Sequence, residues 1–291
     1  RYFRVQVVDP RAWQAFEADL HAVASFVKPF ANRDEIRVSP VFYEYPILRF
    51  HLGDRFPYDR FRLTDELPRA TAQPAADRQE TLYVLEPFQK ELFPLFQSLY
   101  PHARLEEHWD PFGRLMFVGI FVPGEELKHP LDTQAGQRGF LGAYYANEEW
   151  QGAPAILRRD PTVAFHFHWE QEALPGSFTA DWAANLRVEQ PGPYRFEMMT
   201  SGLTLLLVDD QKVIETSDVD RESVPQGPVI LSQGEHRIMV RYFKKGFFST
   251  IRLLWQPPAG ELSVIPLRLL TPLPREEYIR WRDRLPLPRT R

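Results

Sequence analysis

Residues 192–215, GPYRFEMMTSGLTLLLVDDQKVIE, decide the fold. Tyr194, Phe196 and Met198 alternate along one segment, the period of a strand that buries one face. LTLLLV (203–208) is an apolar run of strand length. Between it and QKVIE stand Asp209 and Asp210, turn-forming residues that predict a tight hairpin. The same texture continues outward in AFHFHW (164–169), EHRIMVRYF (235–243) and STIRLLW (249–255). Ile238, Val240 and Tyr242 face inward on one of these segments, Leu254 stands beside Trp255 on another, and Gly234 suits the turn before a strand. Turn signals about 8–12 residues apart predict an all-β sandwich.

The first 125 residues read differently. Asp9-Pro10 opens a helix whose apolar face is Trp13, Phe16, Leu20, Val23 and Val27, and Pro29 ends it. Glu35–Ser39 reads as a strand. Pro40 starts a second helical segment that closes at Gly53. Tyr58–Leu63 and Glu80–Leu85 read as strands, and Phe88–Leu99 as a helix that Pro94 bends or shortens. Ala103–Trp109 and Arg114–Val122 complete the strands, with LMFVGIFV (115–122) suited to a buried central position. The alternation predicts a small α/β domain with a mostly parallel sheet and flanking helices. The expected division is an α/β domain over 1–125, a polar linker over 126–137, the sandwich over 138–273, and a short helix and tail over 274–291.

Composition bounds the function. Hydrophobic content of 44% and charged content of 25% are those of a soluble globular protein. No apolar run approaches about 18 residues, so no segment of this sequence reads as a membrane span. The absence of cysteine excludes disulfides, thiolate nucleophiles and cysteine zinc sites. A net charge of −4 gives no reason to expect nucleic acid as partner. The opening RYFRVQVVDP, without initiator Met or signal peptide, reads as part of a longer protein.

Several pieces of the second half occur together and in order. GFLGAYYANEEWQGAPAILRRDPTVAFHFHW (139–169) carries a glycine, paired tyrosines, Gly-x-Pro and Arg-x-Asp before Phe and Trp. SFTADWAANLRVEQPGPYRFEMMTS (177–201) carries Trp182 and the Gly-x-Tyr-x-Phe of Gly192, Tyr194 and Phe196. With the VDDQ hairpin and the strands LSQGEHRIMVRYF and TIRLLWQPPAG, residues 138–272 resemble the PA-14 domain, a β-sandwich module. That resemblance implies carbohydrate binding, in some members through calcium held by two consecutive aspartates. The matching positions here are Thr200 and Ser201. Two hydroxyls do not supply the charged oxygens a hard divalent cation takes. The expectation is therefore no cofactor, with calcium as the alternative that this departure opposes.

The first half resembles the soluble region of dolichyl-phosphate-mannose protein mannosyltransferase-type membrane glycosyltransferases, in the order VVDPRAWQAFEADL, RVSPVFYEYPILRFH and TLYVLEPFQKEL. The implied protein is a non-catalytic extracytoplasmic region, periplasmic or on the cell surface, of a membrane enzyme. Its partners would be a glycan or cell-envelope polymer and the membrane-embedded part of the same protein, with catalysis outside this chain. A stand-alone adhesin module, an enzyme with an unfamiliar site in the first domain, and a purely structural scaffold are the alternatives.

Candidate ligand residues are Thr200, Ser201, Asp209, Asp218, Asp220 and Trp182. Asp209-Asp210 also reads as an ordinary turn. Asp218, Asp220 and Glu222 alternate in SDVDRE, which is either a partial oxygen cage or a solvated loop. His166 and His168 share a strand face, as zinc ligands or as a polar face. Trp150, Trp182, Tyr144, Tyr145 and Trp255 offer rings for sugar stacking or for a core. Ser39, Tyr43 and Glu86 stand where an α/β crevice would form, although Ser39 also fits a helix cap. Glu106, Glu107, His108 and Asp110 form a polar cluster, and the arginine-rich tail beside Tyr278 and Trp281 offers contact with anionic lipid. No G-x-G-x-x-G, P-loop or G-x-S-x-G sequence is present, so no catalytic residue is assigned.

Overall fold

The computed structural model describes residues 18–63, 67–68, 79–128, 134–167, 174–218, 221–246 and 249–288. Asp9-Pro10, Trp13, Phe16, His168 and Asp220 lie outside the described residues. The chain divides into two compact units, residues 1–133 and 134–291.

The first unit is a five-stranded sheet with helices. Its strands are β1 (Glu35–Val38), β2 (Asp59–Arg60), β3 (Glu80–Leu85), β4 (Arg104–Trp109) and β5 (Leu115–Pro123), in the order β2-β1-β3-β5-β4. The sheet is mixed rather than mostly parallel. β1 pairs parallel with β2 and β3, while β5 pairs antiparallel with β3 and β4. The reason is local. Asp110 accepts from the backbone N–H of Phe112 and of Arg114 at 2.9 Å each and closes a tight turn between β4 and β5, which only an antiparallel pair can use. Except for its end residues β5 is fully buried, as its Val-rich run implies.

Helix α1 (Ala18–Val27) lays Leu20, Val23 and Val27 on the sheet residues Ile36, Val38, Leu82, Phe117 and Phe121. The expected single helix after Pro40 is two, α2 (Pro40–Glu44) and α3 (Pro46–Leu52). Pro46 disfavours helical backbone at the residue before it, and Tyr45 is extended. Gly53, at φ 83°, ends α3. The segment before β4 also divides, into a 3-10 stretch (Pro87–Leu92) and α4 (Phe93–Leu99), with Pro94 tolerated in the first turn. The expected linker begins as α5 (Gly124–Lys128), whose Leu127 is buried.

The second unit is a sandwich. One sheet has β8 (Ala164–Phe167), β10 (Gly192–Ser201), β13 (Glu222–Ser223), β14 (Gln226–Leu231) and β16 (Ser249–Gln256). The other has β6 (Phe140–Tyr145), β7 (Ile156–Asp160), β9 (Phe178–Val188), β11 (Leu203–Val208), β12 (Gln211–Glu215), β15 (Gly234–Lys244) and β17 (Leu270–Pro272). Between the sheets Phe165 stacks on Trp182 at 5.5 Å and Phe167 on Tyr242 at 5.9 Å. A last helix, α6 (Arg275–Arg282), packs Tyr278 and Trp281 against Ala183, Leu205, Leu207 and Met239. Those four alternate in sequence with the sandwich-core residues Trp182, Leu206 and Val240, so α6 covers the outer face of the second sheet.

Candidate binding site

Antiparallel pairing brings four connections to one end of the sandwich. They are β8 to β9, the Ser201-Gly202 corner, the segment after β12, and β15 to β16. Thr200 and Ser201 belong to this end, and both hydroxyls are used internally. Thr200 Oγ1 bonds Thr204 Oγ1 at 2.7 Å in full burial, and Ser201 Oγ accepts from the Thr250 N–H at 2.8 Å. The Ser201 carbonyl accepts from the Tyr242 and Ser249 hydroxyls at 2.8 and 2.5 Å. Gly202, at φ 141°, admits no side chain: a Cβ would lie 2.5 Å from the Phe243 carbonyl. The pair expected to contact ligand is thus an internally bonded hydroxyl pair, Thr200 buried and Ser201 half-buried, without the charged oxygens that calcium takes.

A residue that the sequence reading missed does a cation's work at this end. Lys244 is fully buried, and its ammonium donates to the carbonyls of Gly176, at 2.6 Å, and Gly246. It also lies 5.7 Å from the centre of the Phe178 ring. One positive charge thereby ties two connections through backbone oxygens. Burial lowers its pKa to about 8. The exposed rim of the same end carries Asp218, Arg221, Glu222 and Lys245. Asp218 is described and Asp220 is not. Among the described residues no group of three His, Asp or Glu side chains is placed to hold a metal.

Asp209 lies at the opposite end and serves the turn. Asp209 and Asp210 have φ of 48° and 69°, the double left-handed geometry of a type I′ hairpin. Asp209 Oδ1 accepts from the Arg237 N–H at 2.8 Å, and Asp209 Oδ2 lies 2.5 Å from His236 Nδ1. His236 Nε2 faces the Ser232 carbonyl at 2.9 Å. Both ring nitrogens meet acceptors, an arrangement that only the imidazolium satisfies. Burial alone would lower the His236 pKa, but the Asp209 and Ser232 hydrogen bonds raise it overall. A raised histidine stabilises the fold fully below its unfolded pKa and loses that contribution as pH rises through the folded value. Titrating urea stability from pH 6 to 9 is expected to show a loss of about 1 kcal/mol, kept small because Asp209 is half exposed. Asp209→Asn is expected to weaken that pH dependence, leaving only what the Ser232 carbonyl and Glu235 supply.

The five candidate rings are core residues. Trp182 donates Nε1–H to Asp160 Oδ2 at 2.9 Å, Tyr144 donates to the same oxygen at 2.5 Å, and Arg158 Nε reaches Oδ1 at 2.8 Å. Asp160 is fully buried, and burial pushes its carboxyl up while Arg158 opposes that shift. Gly142 makes the room, since a Cβ there would lie 2.2 Å from Asp160 Oδ2. Trp255 stacks on Tyr194 at 5.3 Å. Trp182 is therefore no sugar platform.

Trp150 and Tyr145 belong to a second buried network under α6. Asp181, fully buried, accepts from Trp150 Nε1 and the Tyr278 hydroxyl at 2.8 Å each and pairs with Arg241 at 3.4 Å. Tyr145 and Tyr278 share a hydrogen bond of 2.6 Å, and Arg282 donates to Tyr145 at 2.6 Å. Tyr278 and Trp281 are thus buried between α6 and the second sheet rather than presented to lipid.

In the first unit Ser39 is buried and caps α2, accepting from the Phe42 N–H at 3.3 Å. Glu86 forms a reciprocal capping box with Gln89. Glu86 and Tyr43 each line a pocket, but two different ones. The polar cluster at β4 is divided among separate contacts: His108 stacks on Phe117 at 4.3 Å and lies 4.0 Å from Glu106, Glu107 pairs with Lys90, and Asp110 holds the following turn. His166 is half-buried on β8, and no metal site forms around it among the described residues.

Comparison with known proteins gives one family. The PA14 domain model matches residues 136–268. No curated protein matches the chain. Among solved structures, an anti-sigma factor domain-containing protein aligns at 18% identity over 55% of this chain and 65% of that one, with a TM-score of 0.43. Another, from Clostridium clariflavum, aligns at 18% over 69% and 89%, with a TM-score of 0.44. The PA14 sugar-binding domain from an RTX adhesin aligns at 13% over 47% and 99%, with a TM-score of 0.41. The pieces that carried the resemblance, Gly142, Tyr144, the Arg158–Asp160 pair and Trp182, are the ones that build the sandwich interior, and residues 136–268 form a PA14 domain.

Proposed function

We propose that this PA14 domain binds a glycan or cell-envelope polymer without calcium, at the end of the sandwich held by Lys244. The observation that carries the reading is the internal hydrogen bonding of this end around a buried lysine. Thr200 and Ser201 are consumed in hydrogen bonds, and a lysine ammonium ties the neighbouring carbonyls. The rim of the same end mixes carboxylates with Arg221 and Lys245, acceptors and donors of the kind that engage sugar hydroxyls. In the wider reading the chain is a non-catalytic, extracytoplasmic region of a membrane glycosyltransferase. The first unit would position the acceptor beside the membrane, and the PA14 domain would hold it. The order of the two sequence resemblances supports this assignment.

A glycan-array screen with calcium and with chelator tests the site. The expected result is binding that survives chelation and weakens in Asp218→Ala. Binding abolished by chelator would overturn the calcium-free reading. A second reading, a sandwich that orients its neighbour and binds nothing, is favoured by the burial of every ring offered for stacking. Absence of binding across the array would support it.

A further inference from the structure

The outward side of α3 carries an aromatic residue where a surface helix ordinarily carries polar ones. Leu48 is buried, and Ile47 and Leu52 pack on the core of the first unit. Pro46, Arg49, Phe50 and Gly53 follow at three- and four-residue spacing and share the opposite side. Phe50 stands there 84% exposed. The breaks at either end of α3 turn this stripe into a hollow. Pro46 holds Tyr45 extended, so Tyr43 and Glu44 at the end of α2 flank α3 instead of continuing into it. Gly53, at φ 83°, ends the helix and brings Asp54 into the lining. The hollow measures about 550 Å3, a size that suits a small ligand.

The lining decides what fits. It combines the rings of Tyr43, Tyr45 and Phe50 with Glu44, Arg49 and Asp54. Among the described residues no aliphatic side chain lines it, so an acyl chain meets no matching wall. The charges select no ion. Glu44 pairs with Arg60 at 3.4 Å, and Arg49 and Asp54 carry opposite signs. Among the described residues the Arg49 guanidinium and the Asp54 carboxylate have no hydrogen-bond or ion-pair partner. One group only donates and the other only accepts. A neutral ring with hydroxyls at its edge uses all of these features: its C–H face meets an aromatic face, and its hydroxyls accept from Arg49 and donate to Asp54. We propose that this hollow binds a hexopyranose, as a free sugar or as part of a glycan chain. The site belongs to the first unit and stands independently of the Lys244 end of the PA14 domain.

The test titrates methyl β-glucoside, methyl β-galactoside and methyl α-mannoside into the full chain and follows NMR shifts. Two controls divide the ligand. Glucitol keeps the hydroxyls without the ring face, and cyclohexanol keeps a ring with one hydroxyl. At least one glycoside is expected to bind with a Kd on the order of 1 mM, with shifts centred on Tyr43, Tyr45 and Phe50. Both controls should bind about tenfold more weakly or not at all. Phe50→Ala is expected to weaken the glycoside about tenfold, and Arg49→Ala and Asp54→Ala several-fold. All three side chains are exposed, so each variant should keep the parent spectrum elsewhere. Asp218→Ala should leave these shifts unchanged, which separates this site from the one in the PA14 domain. Cellobiose, lactose and mannobiose distinguish the sources: a disaccharide several-fold tighter than its methyl glycoside assigns the hollow to a glycan chain, and equal affinity assigns it to a single sugar. No shift at the hollow with any glycoside, controls that bind as well as the glycosides, or a folded Phe50→Ala that binds as the parent does would overturn the proposal.

Discussion

Trp182→Ala is expected to destabilise the PA14 domain by at least about 4 kcal/mol. Two losses coincide. The indole fills the space between the sheets against Phe165 and Tyr144, and emptying it leaves a cavity. Its Nε1–H is also one of three donors to the fully buried Asp160, so the carboxylate becomes under-satisfied in low dielectric. Against a total stability of about 5–15 kcal/mol, that removes much of the margin. Trp182→Phe separates the terms: it keeps most of the ring and loses only the donor, and should cost about 1–3 kcal/mol. Urea denaturation followed by circular dichroism measures both. A stable Trp182→Ala domain that has lost only glycan binding would make Trp182 a ligand contact and contradict its burial.

The sandwich was legible because its signature residues are structural. Tyr144, Arg158 and Trp182 converge on Asp160 because a buried carboxylate needs its donors together. The site was less legible for the same reason. A tryptophan beside an alanine run reads alike whether it faces sugar or core, and only burial separates the two. Lys244 escaped notice because its partners are backbone carbonyls, which carry no residue identity. The sheet departs from a parallel arrangement at residues 110–113, where Asp-Pro-Phe-Gly is a hairpin turn between β4 and β5. The cover on the outer sheet did leave a signal. LTLLLV and the start of TADWAANLRV do not alternate, and an antiparallel strand without polar alternation is buried on both faces. With Tyr278 and Trp281 in the next helical segment, that pattern points to α6 as the covering element.

Arg241→Met should release that helix. Arg241 is almost fully buried and does two jobs from one guanidinium. It pairs with Asp181 across the register of β15 and β9, and it donates to the carbonyls of Arg282, Leu285 and Pro286 at 3.0–3.2 Å, capping the end of α6. Methionine keeps much of the stem's volume but leaves the buried Asp181 carboxyl without its counter-charge, a defect that costs about 3–5 kcal/mol where the carboxyl must ionise. Residues 275–288 should then be cleaved by protease well before the sandwich itself. The pH dependence identifies the cause. Burial already raises the Asp181 carboxyl above its ordinary value, and Arg241 opposes that shift. Without Arg241 the folded pKa moves further up, so the folded variant holds a proton that the unfolded chain gives up. Its stability is highest below the unfolded carboxylate pKa and falls as pH rises through the folded one. The gap between parent and variant should therefore narrow on acidification from pH 8 to pH 5. A gap independent of pH would assign the loss to the helix carbonyls alone, and an unchanged protease pattern would show that α6 is held by Tyr278 and Trp281 without the buried ion pair.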